Sequence, residues 1–105
     1  MPQNFSETLH LSRDTDSGIV RISIATSENR VDEITLLERD FKHVAHALWK
    51  RSDTYEGCSD MQAKYKDGRF SISVQIGVRT RSVYRLDEGM VLPVIGQYMA
   101  DTGGN

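Results

Sequence analysis

The sequence predicts an α+β domain: an antiparallel sheet of about five strands in the order β-β-α-β-β-β-α, with two helices packed on one face. Three observations carry this. Phe70, Ile72, Val74, Ile76 and Val78 alternate strictly with polar or small residues, the period of a strand with one buried face. Asp67-Gly68 stands before that run, and this pair suits a two-residue hairpin turn because both central positions need positive φ. Ile34, Leu37, Phe41, Val44, Ala45 and Leu48 recur at three- and four-residue steps, the spacing of a helix with one apolar stripe.

At the front, Phe5, Leu9 and Leu11 alternate with polar residues, RDTDSG supplies turn chemistry, and Val20, Ile22 and Ile24 alternate again, which reads as a first hairpin. Glu7 shares the inward parity of the first strand and marks it as an edge with a loosely covered end. In the helix that follows, Asp32 is the expected N-cap and Glu33 lies near the positive end of the dipole. Trp49 falls at the border of the stripe, and Leu36 falls on its outer side.

The Asp67-Gly68 turn sets a register in which Tyr65 faces Phe70, Ala63 faces Ile72 and Met61 faces Val74, all on one face. A short strand from about Ser82 to Leu86 returns beside the long one. The last segment is a shorter helix, capped by Asp87 with Leu86 and Val91 as a hydrophobic staple and stopped at Gly103. Gly89, Pro93 and Gly96 oppose a regular helix, so a kink or a late start at Pro93 is expected. The layout from Met61 onward, hairpin then return strand then capped helix, is similar to that of many small bacterial domains, an architectural likeness that carries no site.

Length and composition narrow the function classes. The 105 residues make one domain with a single modest core, no internal repeat is legible, and no linker divides the chain. No apolar run approaches the roughly 20 residues of a membrane-spanning helix, and MPQNFSETLHL lacks the basic and apolar regions of a secretory signal. Cys58 is alone, so the chain forms no internal disulfide, which agrees with a reducing, cytoplasmic setting. A formal charge of −2 argues against wholesale polyanion binding and leaves room for local basic patches.

Two such patches stand out. Arg39, Lys42, His43, His46 and Lys50 project from the helix on the side away from Phe41. The histidine pair raises a metal reading, but no third ligand stands in sequence with them and the neighbouring cations would repel a divalent ion. The expectation is a solvated face, or a docking surface for an acidic partner that gains charge as pH falls through the histidine range. The second patch is Arg69, Arg79, Arg81 and Arg85, in a stretch from Arg69 to Leu86 without any acidic side chain. Together with Ser71, Ser73 and Gln75 these arginines could track phosphates, although no outward aromatic pair is present for bases to stack on.

Other strings imitate motifs without their context. Asp16-Ser17-Gly18 and Asp101-Thr102-Gly103 match the aspartic-protease triplet but sit in a turn and at the chain's end. Gly103-Gly104 is followed by Asn105 rather than ending a ubiquitin-like tail, and Cys58 has no base or cation beside it in sequence. No cofactor motif and no metal site are read. The sequence therefore points to a non-enzymatic cytosolic domain acting by protein–protein binding, as an inhibitor, immunity-type or accessory factor. The alternative is single-stranded nucleic-acid binding by the arginine-bearing sheet face. A two-fold dimer through an edge strand is compatible with this layout, and an outward Leu36 lends it slight support.

Overall fold

Strict alternation on both sides of a tight turn produces the central ribbon as expected. In a computed structural model describing residues 7–27 and 29–102, the chain runs from Met61–Lys66 to Arg69–Gln75 through Asp67 and Gly68, both at positive φ. Tyr65 lies opposite Phe70, Ala63 opposite Ile72 and Met61 opposite Val74, the register set by the turn. The strand stops at Gln75, where Arg81–Asp87 turns back, so Ile76 and Val78 are 53% and 97% exposed rather than inward.

In chain order the elements are β1 (Thr8–Asp14), β2 (Ile19–Ser27), β3 (Arg30–Leu37), α1 (Glu38–Trp49), β4 (Glu56–Gly57), β5 (Met61–Lys66), β6 (Arg69–Gln75), β7 (Arg81–Asp87) and α2 (Glu88–Asp101). The fold is α+β, as expected. Instead of one sheet of about five strands there are two antiparallel sheets, β1-β2-β3 and β4-β5-β6-β7. The expected inward Phe5 and the stop at Gly103 lie outside the described residues.

The main correction concerns residues 30–37. The helix starts at Glu38, and the residues before it form β3, with Ile22 opposite Ile34 and Val20 opposite Leu36. Asp32 is a strand residue rather than an N-cap, and the cap position falls to Leu37, which has no side-chain group to offer the first turn. Leu36 is buried at 5% and Leu37 is 44% exposed, the reverse of the helical reading. The slight support that an outward Leu36 lent to dimerisation is thereby removed. Strand parity and helical spacing agree at Ile34, and the long apolar face of β2 decides between them by demanding a partner strand.

The last helix also differs. It runs unbroken from Glu88, with Pro93 at an exposed position inside it, so the late start does not occur. Pro93 leaves the Gly89 carbonyl without its helical donor, a cost lessened by water on that side. Asp87 holds the cap position with no side-chain cap bond; its carboxylate accepts from Arg69 Nε at 3.0 Å instead.

The structure also contains a repeat that the sequence hides. The unit β-β-β-α occurs twice, as β1-β2-β3-α1 and β5-β6-β7-α2. Ile19 pairs with Leu37 and Ala25 with Val31; fifty positions later Arg69 pairs with Asp87 and Gln75 with Arg81. Gly18 and Gly68 both have positive φ, and their carbonyls accept from the N–H of Glu38 at 2.8 Å and of Glu88 at 3.0 Å, which fastens each helix start to its own hairpin turn. Gly18/Gly68, Ile22/Ile72, Ser23/Ser73, Leu36/Leu86, Glu38/Glu88 and Val44/Val94 are the only identical pairs when residues 18–49 are laid on 68–99. What repeats is burial parity, not residue type. Each helix packs against the first strand of the other unit, α1 on β5 and α2 on β1, so one core joins both halves.

Candidate binding surfaces

Each helix begins with a glutamate that the hairpin turn holds in place; Glu38 takes partners from both units, and Glu88 takes one from just past α1. Arg13 on β1 donates to Glu38 from Nε at 2.7 Å and from Nη2 at 3.3 Å, and the Tyr98 hydroxyl on α2 donates to the same carboxylate at 3.1 Å. The Arg13 guanidinium lies 5.9 Å from the centre of the Tyr98 ring, and Phe41 meets that ring edge-on at 5.0 Å. The Arg13 hydrogen bond, with help from Tyr98, holds the Glu38 carboxyl below the usual carboxylate range; burial and the charge of Glu38 push the Tyr98 phenol well above its ordinary value. In the second unit Arg51 donates to Glu88 at 3.2 Å and stands 5.8 Å from the Tyr65 ring. These acids have structural partners, and no step of chemistry follows from them.

A third cross-unit contact joins β3 to β7. The Tyr84 hydroxyl donates to Asp32 Oδ2 at 2.6 Å, and Arg30 donates to the other oxygen at 3.2 Å. The Tyr84 hydrogen bond, followed by that of Arg30, lowers the Asp32 carboxyl below its ordinary value. Sequence spacing gave no hint of this pair, because the residues meet only through the relation between the two units.

The basic helix face is where the sequence places it. Arg39, Lys42, His43, His46 and Lys50 are all exposed along α1 and beyond its last turn. Lys50 is tied to Glu56 at 2.8 Å, a carboxylate that also accepts from Ser52 Oγ at 2.7 Å; these contacts, Lys50 first, hold its carboxyl below the usual range. Among the described residues no ion pair forms to Arg39, Lys42, His43 or His46. Both imidazoles border a depression of about 410 Å³ whose other side is Tyr55, Glu56, Gly57 and Gln62. No group of three His, Cys, Asp or Glu side chains that could hold a metal ion is present among the described residues.

The arginine patch is dispersed. Arg69 is paired with Asp87, and Arg81 is spent within the sheet: Nε donates to Ser73 Oγ at 2.9 Å and Nη1 to Gln75 Oε1 at 2.7 Å. Arg79 stands in the connection 76–80 rather than on a strand. Arg85 projects from the outer face opposite Ser71, which in turn lies opposite Lys64, and the Lys64 ammonium sits 4.8 Å from the Tyr55 ring. Cys58 is half-buried against the core, consistent with a packed thiol.

One surface had no signal in the sequence. A groove of about 560 Å³ runs between β1 and α2, with Leu9, Leu11 and Arg13 on the strand side and Val94, Gln97 and Tyr98 on the helix side. Val94 and Tyr98 stand four residues apart, on one side of α2, but spacing within a helix does not show that it crosses to the other unit's edge strand. No helix among the described residues is long and apolar enough to cross a membrane. Comparison with protein-family models, with curated proteins and with solved structures finds no match to this chain.

Proposed function

We propose that this chain is a non-enzymatic protein-binding domain, of an inhibitor, immunity-type or accessory kind, and that the outer face of α1 meets an acidic partner. The observation that carries the reading is the row Arg39, Lys42, His43 and His46: exposed, on one side of one helix, and in no ion pair among the described residues. A cationic row on a chain of formal charge −2 repels other copies little and attracts a complementary surface, which favours orientation and rapid encounter. The test is affinity capture of the tagged protein from its native cell, with protein and nucleic acid identified together. The reading expects an acidic protein that Arg39→Glu/Lys42→Glu no longer retains. Recovery of the same proteins by both forms sinks it.

A second reading, single-stranded nucleic-acid binding, is favoured by the cross-strand row Lys64, Ser71 and Arg85 with Tyr55 at the sheet's edge. Against it, Arg69 and Arg81 are already engaged. It expects mobility shifts of DNA or RNA that weaken steeply with salt and vanish in Arg79→Ala/Arg81→Ala/Arg85→Ala. Unchanged mobility at low salt removes it.

A further inference from the structure

The groove between β1 and α2 has a counterpart in the same molecule, and there the place is filled. After α1 the chain lays residues 52–58 along the outer edge of β5: the Tyr65 N–H donates to the Ser52 carbonyl at 2.7 Å, the Cys58 N–H donates to the Met61 carbonyl at 2.9 Å, and Glu56 stands opposite Ala63. On the helix side this segment meets Val44, at Gly57. The repeat translates each of these residues. Met61, Ala63 and Tyr65 face Val74, Ile72 and Phe70; Leu9, Leu11 and Arg13, fifty-two positions earlier, face Ile24, Ile22 and Val20, fifty positions earlier. Val44 becomes Val94, which lines the groove.

Among the described residues no strand covers the corresponding edge in the first unit. Among the described residues no backbone group pairs with the outer side of β1, and the Leu9 N–H is directed at the Met90 sulfur at 3.2 Å, a weak acceptor. An unpaired strand edge beside an apolar wall is a template for one more strand.

We propose that the β1–α2 groove accepts a single extended strand of another polypeptide, antiparallel to β1, as segment 52–58 lies on β5. The ligand offers a carbonyl to the Arg13 N–H and an N–H to the Leu9 carbonyl. It carries a small residue over Val94, because a Cβ at Gly57 would lie 2.4 Å from the Met61 carbonyl and 3.1 Å from the Val44 methyl. The strand comes without a helix on its inner face. In a second folded copy β1 is already roofed by α2, so pairing two such edges would drive helix against helix. This surface is separate from the outer face of α1, and the inference does not depend on that reading.

The probe is the chain's own filler. A copy of Ser52–Asp60, with alanine for its cysteine, is appended after Asn105 and compared with a Gly-Ser extension of equal length, by amide hydrogen exchange. The strand extension is expected to slow exchange at Leu11 and Arg13 by at least about tenfold, and Val94→Arg in the same extended chain is expected to restore fast exchange there. The Ile22 amide reports folding in every form. Equal exchange with both extensions overturns the proposal. So does slow exchange in the unextended chain, whether it depends on concentration, as for a second copy, or not, as for the chain's own terminal residues.

Discussion

The Tyr98 hydroxyl donates to Glu38 across sixty positions of sequence and ties the second helix to the start of the first. It is a neutral donor to a carboxylate that Arg13 already engages, and its ring takes the Phe41 edge and the Arg13 guanidinium together. Tyr98→Phe keeps the ring and loses the hydrogen bond. It is expected to lower stability by about 1–2 kcal/mol in urea unfolding, with the far-UV circular dichroism of the native state unchanged. A loss near zero would show that the bond adds nothing beyond the packing of the ring.

Acid unfolding tests the same contacts. Glu38 and Asp32 have carboxyls lowered in the folded state, Glu38 by Arg13 and then Tyr98, Asp32 by Tyr84 and then Arg30. A lowered folded value means that the stabilisation is complete above the unfolded-state values of about 3.9–4.3 and is lost as pH falls through the folded ones. The melting temperature should therefore stay level across these carboxylates' ionised range and drop below about pH 4, with a shallower drop in Glu38→Gln/Asp32→Asn. Equal acid slopes in both proteins would assign the drop to other groups.

Strand and helix make opposite demands on two adjacent leucines. Leu36 is buried in β3, and Leu37 is exposed at the helix entrance. Leu36→Ala is expected to cost about 2–4 kcal/mol by chemical denaturation, and Leu37→Ala less than about 1. The reverse order would restore the helix to residues 34–37.

Two glycines at positive φ differ in their surroundings. Gly18 has open space where a Cβ would go, whereas at Gly57 the Met61 carbonyl and Val44 stand in the way. Gly18→Ala should cost about 1 kcal/mol for the left-handed conformation alone. Gly57→Ala should cost more, about 2 kcal/mol or above, because β4 must shift off β5. Equal losses in thermal or urea unfolding would mean that β4 gives way without cost.

The two histidines on α1 provide a metal test. They are exposed and have no third ligand among the described residues. Zinc at a saturating dose is expected to leave the melting temperature unchanged, since a site specific to the folded chain would raise it by mass action. A rise abolished by His43→Ala/His46→Ala would establish the site.

Where a local period met a local turn, the sequence was decisive. The β5–β6 ribbon follows from Asp67-Gly68 and the parity of Met61, Ala63, Tyr65, Phe70, Ile72 and Val74, all of which act within a dozen or so neighbours. The cationic face of α1 is legible for the same reason, since a helix sorts its sides over four residues. Residues 30–37 were not, because Ile34 satisfies both periods and only the pairing of Ile22 with Ile34 separates them.

Residue order alone thus determined the α+β class, one hairpin in full register and the outward side of the first helix, because hydrogen-bonded turns and side-chain periods are short-range. Tertiary structure alone decided that the unit occurs twice, that each helix crosses to the other unit's first strand, and that β5 has a covering segment where β1 presents an open edge among the described residues. The two units share burial parity but few residue types, and packing constrains volume and polarity more strongly than identity, so their equivalence emerges only when the strands are paired.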